Sequence, residues 1–103
     1  WLYRLDYMHQ AGVRSQRYER MMPLKKTIHD YMRSNVSVTT SGMAWEPAIQ
    51  FAQKVLGEDR VLYAMDYPYQ YVPDEVRVHD LLDISDTAKR KLMQTNAQRL
   101  FGL

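Results

Sequence analysis

An α/β fold with parallel strands is predicted by three features of the 103-residue sequence. Helical stripes alternate with short β-branched or apolar runs, one of those runs is apolar almost without interruption, and start and stop residues sit at the element boundaries. The uninterrupted run, Val61-Leu62-Tyr63-Ala64-Met65, suits a strand covered on both faces inside a parallel sheet or barrel. Two strands cannot make such a sheet alone, so their remaining partners are expected from sequence outside these residues.

The elements follow in order. Leu2, Leu5 and Met8 recur every third residue with Arg4 and Asp6 between them, as when a buried element leaves into an amphipathic helix; Gly12 suits its stop. Residues 11–22 are polar and arginine-rich and read as a connection. Pro23 suits a first helical position, with Leu24, Ile28, Tyr31 and Met32 following at helical spacing. Val36-Ser37-Val38-Thr39-Thr40, between Asn35 and Ser41-Gly42, predicts a short strand. Pro47 then opens a helix with Ala48, Phe51, Ala52 and Val55 as its inner stripe and Gly57 as its stop. After the apolar run, Asp74 and Glu75 begin a short helix behind Pro73. Ser85 caps a last helix with Ala88, Leu92 and Met93 facing inward, followed by an Ala97, Leu100, Phe101 stripe. Neither an internal repeat nor a low-complexity segment interrupts this order.

Composition narrows the function classes. An apolar content of 46% with 12% aromatic residues is that of a folded chain. No run approaches the roughly 20 apolar residues of a bilayer span, and no basic segment leads into an apolar one at the N-terminus, so a soluble, unexported, cytoplasmic protein is expected. Zero cysteines exclude disulfides, thiolate catalysis and Cys-ligated zinc, leaving His, carboxylate or water for any metal. The net charge is only +2, although residues 1–33 carry seven Lys or Arg against three acids. Arg14, Arg17, Arg20, Lys25 and Lys26 are scattered through a polar connection, which reads as a solvated surface and not as a nucleic-acid face.

In parallel α/β folds the working groups sit where loops leave the C-terminal ends of strands, and Asp66 occupies such an end. A partly buried carboxylate is expected there. It is a metal ligand or general base on one reading, and a cap for the loop's N–H groups on the other. Tyr67, Tyr69 and Tyr71 alternate around Pro68, either lining a pocket with phenols or simply packing the loop. Arg4 can grip a carboxylate with two parallel bonds or form a structural salt bridge with Asp6 or another acid. His9, His29 and His79 share no ligand spacing and read as surface or core histidines. A glycine-rich phosphate loop, a nucleophile elbow and a paired-carboxylate motif are all absent from the sequence.

Three blocks carry a family resemblance: Thr39-Thr40-Ser41-Gly42, the stretch Gly57-Glu58-Asp59-Arg60 through Met65-Asp66-Tyr67-Pro68-Tyr69, and Asn96-Ala97-Gln98-Arg99-Leu100-Phe101. In this order they resemble the end of the amidohydrolase superfamily's aromatic-acid decarboxylases, the group acting on γ-resorcylate, 2,3-dihydroxybenzoate and 5-carboxyvanillate. Ser41-Gly42-Met43-Ala44-Trp45-Glu46-Pro47 and Met65-Asp66-Tyr67-Pro68-Tyr69-Gln70-Tyr71 look most like the 5-carboxyvanillate members.

That resemblance implies that residues 1–103 form the C-terminal segment of a single (β/α)8 TIM barrel, with residues 36–39 as strand 7 and residues 61–65 as strand 8, flanked by helices. It implies metal-dependent, non-oxidative decarboxylation of a phenolic acid, one divalent metal ion with Mn2+ favoured over Zn2+, and no organic cofactor. By the same likeness Asp66 reaches the metal and takes part in proton transfer, Tyr69 contacts the substrate, and Arg4 binds the substrate carboxylate, delivered in the family across a subunit interface. The implied partners are a small aromatic carboxylic acid, the rest of the barrel and further copies in a dimer or tetramer; nucleic acid and membrane are not among them. The first-strand ligands and the histidines of strands 5 and 6 are not in this sequence, so the chain alone is not expected to be a competent lyase. Two alternatives remain: a hydrolase or hydratase of the same superfamily, and a non-catalytic barrel remnant that binds a partner.

Overall fold

A computed structural model describes residues 1–16, 21–70 and 72–103, which form two compact units, Trp1–Val36 and Ser37–Leu103. The first unit is a helix pair. Helix α1 (Leu2–Ser15) runs through Gly12, the expected stop, and ends at Gln16 in a left-handed conformation. Gly12 is buried in mid-helix because its bare Cα receives the Met21 thioether, where a side chain would collide. Helix α2 (Ile28–Asn35) starts later than Pro23 predicts, since Thr27 supplies the stronger start. Its hydroxyl accepts the Asp30 N–H at 3.0 Å, and its own N–H donates to the Asp30 carboxylate at 3.3 Å, closing a capping box. Asp6 from α1 adds a second cap, accepting the N–H groups of Ile28 at 2.6 Å and His29 at 3.2 Å. Arg17 and Arg20 of the basic cluster, and Tyr71, lie outside the described residues.

The second unit is a βαβ arrangement with a helical tail. Strands β1 (Val38–Thr39) and β2 (Val61–Leu62) pair in parallel, Val38 opposite Val61 and Thr39 opposite Leu62. Helix α3 (Glu46–Leu56) and a 3-10 turn (Glu58–Arg60) connect them. Both strands are shorter than the five-residue runs suggest. Val36 is excluded because its N–H closes α2 on the Met32 carbonyl, and beyond Thr40 the ladder passes to a side chain. The buried Thr40 hydroxyl accepts the Ala64 N–H and donates to the Ala64 carbonyl, both at 3.3 Å.

Helix α3 begins at Glu46 with Pro47 in its first turn, and the Gly57 N–H closes it on Gln53. Its buried positions are Ile49 and Gln53, so the inner face is rotated from the expected stripe and Phe51 lies 68% exposed. Helix α4 (Glu75–Asp80) follows the aromatic loop. Ser85 then caps α5 (Asp86–Arg90) by accepting the Ala88 N–H at 3.1 Å, and the chain continues through a π-helical segment (Lys91–Thr95) into α6 (Asn96–Phe101). Ile49, Val61, Leu82 and Leu92 form the core, with Val38, Ala52, Tyr63, Ile84 and Met93 packed around it. Leu100 and Phe101, expected inside, are exposed, because the buried line of this tail runs through Ala88, Leu92 and Asn96.

The π segment has a structural reason. Asn96 donates its N–H five residues back to Lys91, which leaves the Leu92 carbonyl to accept the Tyr63 N–H at 2.9 Å. The Asn96 side chain, 1% exposed, donates to the carbonyls of Glu58 at 2.7 Å and Val61 at 2.8 Å. Outside this staple, Lys91 bridges Glu58 at 3.3 Å and Asp59 at 3.1 Å, and Arg99 lies 3.6 Å from the Asp59 carboxylate.

In the complete protein Asn96→Ala should cost about 2–4 kcal/mol of unfolding free energy, because it strips two carbonyls of their donor inside the fold. Denaturant titration checks this, and a loss below about 0.5 kcal/mol, the level of an ordinary surface substitution, would show that the staple is dispensable. The Lys91 hydrogen bond is the main cause that holds the Asp59 carboxyl below its usual range, opposed by desolvation and aided by Arg99. Asp59 therefore contributes stability above the unfolded carboxylate value of about 3.9, and that contribution is lost as pH falls through its lower folded value. The small melting-temperature gap between the parent and Asp59→Asn should accordingly persist at neutral pH and close in acid. A gap independent of pH would assign Asp59 a role without its charge.

Candidate functional site

Asp66 emerges where β2 ends, four residues beyond Leu62. It adopts φ +62, a left-handed conformation that costs most residues about 1–2 kcal/mol and is best tolerated by Asn and Asp. Its carbonyl accepts the N–H groups of Tyr69 at 2.9 Å and Gln70 at 3.0 Å, so residues 66–70 close into one turn. The peptide between Tyr67 and Pro68 within this turn is cis.

The expectation of a partly buried carboxylate is corrected here. Asp66 is exposed, and the turn's N–H groups go to its main-chain carbonyl. Among the described residues no donor meets the carboxylate itself. Tyr69 shares the turn and is 88% exposed, and Tyr67 is 73% exposed, so these two rings lie largely outside the packed interior. The structure thus brings Asp66 and Tyr69 together on one turn. No group of three His, Cys, Asp or Glu side chains able to hold a metal occurs among the described residues.

Arg4 belongs to the first unit. It is exposed on α1, its guanidinium 5.7 Å from the centre of the Tyr7 ring. The alternative pairing with Asp6 is not formed, since both Asp6 oxygens cap α2. His9 is near the surface and meets the Met22 carbonyl at 3.1 Å. His79 proves to be a core residue, fully buried with its ring edge-on to Tyr63 at 4.8 Å and its Nδ1 on the Glu75 carbonyl. Burial, with the charges of Glu75 and Asp80, pushes the Tyr63 phenol above its ordinary value.

Sequence reasoning passed over Gly42 and Gln70. Gly42, φ +66, lies in the loop after β1, and a Cβ built on it would fall 2.5 Å from Gln70 Oε1 and 3.4 Å from its Cδ. Ser41-Gly42 after the β-branched run marks a turn, where glycine takes positive φ at no steric cost. Nothing in the sequence signals the contact with a residue 28 positions away.

The sequence pattern of the amidohydrolase family matches residues 5–103. This chain belongs to the amidohydrolase family. Among curated proteins, γ-resorcylate decarboxylase of Rhizobium sp. (strain MTP-10005) is 28% identical over 102 residues, which are 99% of this chain and 30% of that protein. Among solved structures, 5-carboxyvanillate decarboxylase from Novosphingobium aromaticivorans DSM 12444, complexed with manganese and 4-hydroxy-3-methoxy-5-nitrobenzoic acid, is 72% identical with a TM-score of 0.93. That match covers 100% of this chain and 29% of the other. 5-Carboxyvanillate decarboxylase from Sphingomonas paucimobilis is 34% identical with a TM-score of 0.90, over 100% of this chain and 30% of the other. The chain therefore spans under a third of the length of these relatives, which are aromatic-acid decarboxylases of the amidohydrolase superfamily. No helix among the described residues is long and apolar enough to cross a membrane.

Proposed function

We propose that this chain is the C-terminal segment of a single (β/α)8-barrel decarboxylase that removes the carboxylate of a 5-carboxyvanillate-like phenolic acid, with β1 and β2 in the places of barrel strands 7 and 8. The observation that carries this reading is the 72% identity, along the whole chain, to a 5-carboxyvanillate decarboxylase that binds manganese and a nitrobenzoic acid. The open carboxylate of Asp66 at a strand's C-terminal end fits it, because that edge is where barrel enzymes work.

Asp66 is the residue of this chain that would hold the metal, Mn2+ in preference to Zn2+. A divalent ion there supplies positive charge that orients the substrate's phenolate and carboxylate. Tyr69 donates a hydrogen bond to the substrate from the same turn, and Arg4 neutralises a carboxylate with its fork of N–H groups. Asp66 would relay a proton, taken up from the bound substrate's own acidic group, to the ring carbon that bears the departing carboxylate. The bond between that carbon and the carboxylate breaks, its electron pair stays with the ring, and CO2 leaves. The assembly is a dimer or tetramer, and catalysis requires the rest of the barrel.

Asp66→Asn preserves shape while removing charge and basicity. The complete enzyme should then stay folded but lose its manganese, or at least about a hundredfold in turnover of 5-carboxyvanillate. Full metal occupancy with parental turnover would remove Asp66 from the mechanism. Arg4→Ala should raise KM for the acid about tenfold to a hundredfold, the value of a charge-assisted bond, with little change in melting temperature because Arg4 is exposed and Asp6 is engaged elsewhere. Normal kinetics with a large stability loss would instead make Arg4 a residue of the fold.

A further inference from the structure

We propose that Gly42 and Gln70 are positioning residues: the Gln70 carboxamide, seated over the bare Cα of Gly42, sets the turn that presents Asp66 and Tyr69. The contact joins the two loops that leave the C-terminal ends of neighbouring parallel strands. The Gln70 carboxamide occupies the space that a Cβ on Gly42 would need, with Oε1 at 2.5 Å, Cδ at 3.4 Å and Nε2 at 3.5 Å from that point, and Gly42 also holds φ +66.

Gln70 is the closing residue of the turn, with its N–H on the Asp66 carbonyl at 3.0 Å. A displacement of its side chain therefore reaches Asp66 through one main-chain hydrogen bond and three intervening residues. One step before the turn, Thr40 already ties the same two strands together by gripping Ala64. The Thr40 contact fixes where β2 ends, and the Gly42 contact fixes how the chain leaves it. Neither Gly42 nor Gln70 needs to touch the substrate. The role is to hold Asp66 and Tyr69 at the separation that proton delivery requires, where a misplacement of about 1 Å can cost a hundredfold in rate.

This inference rests on the decarboxylase reading, and one experiment separates the two. Gly42→Ala, Gln70→Ala and the double variant are compared in the complete enzyme with manganese at saturation, alongside Gly42→Asn, which tolerates the left-handed backbone but still introduces a Cβ. The expected result is a loss of about tenfold or more in kcat for each single variant, smaller changes in KM, and a double variant no slower than the slower single. Gly42→Asn should recover melting temperature relative to Gly42→Ala while remaining equally slow, because the displaced carboxamide and not backbone strain sets the rate. Parental kcat in Gln70→Ala would overturn the inference. So would losses in kcat that simply add in the double variant, or a Gly42→Asn enzyme restored to full turnover. Absence of decarboxylation by the unsubstituted enzyme would overturn the parent reading instead.

Discussion

The architecture of the second unit depends on one buried carboxamide. A two-stranded parallel pair has no stability of its own, because each strand leaves one edge and both faces unsatisfied. Asn96 answers the problem at the point where β2 begins, placing two side-chain N–H donors on the carbonyls of Glu58 and Val61. The wide helical turn beside it frees the Leu92 carbonyl for Tyr63, so the tail helix behaves toward β2 partly as a neighbouring strand would. Main-chain groups that would otherwise be buried without partners are paired, and the alternative would cost about 1–3 kcal/mol for each. Lys91 and Arg99 add charge outside this staple. They are solvent-facing, and their contribution is modest beside the buried bonds.

Much of this was legible in the residues. Ser85, Gly57 and the apolar run beginning at Val61 stand where a cap, a stop and a covered strand should stand, because each signal is local. Thr27 with Asp30 was equally local and outranked Pro23 as the start of α2, since a reciprocal cap satisfies donors whereas a proline merely tolerates the position. Helix phase was harder to read. Ala48 with Phe51 and Ile49 with Gln53 are rival stripes centred about 150° apart, and burial in the structure chose the one containing a glutamine.

The π segment and the Gly42 contact escaped altogether, because both are defined by partners 28 to 35 residues distant. Asn96 was visible only as a letter in a family block; its physical meaning required the position of Val61. For the site, the strand-end location of Asp66 was readable and its exposure was not. An apolar run predicts a covered strand, as Val61 and Leu62 are, but it says nothing of the exposure of the residue that follows the run.

The anchors of β2 give that exposed carboxylate its significance. Asn96 holds Val61, the Leu92 carbonyl holds Tyr63, and Thr40 holds Ala64, so three of the four residues from Val61 to Ala64 have a tertiary bond besides the ladder. Asp66 lies two residues beyond the last of them. A group placed there moves little relative to the strand layer, which is the requirement for a metal ligand or a proton donor that must meet its target within about 0.5 Å. Its left-handed backbone is stabilised by two bonds to its carbonyl, and its side chain is exposed. Backbone conformations of this kind cluster where a fold presents a side chain for binding or chemistry, and the decarboxylase proposal gives Asp66 such a task.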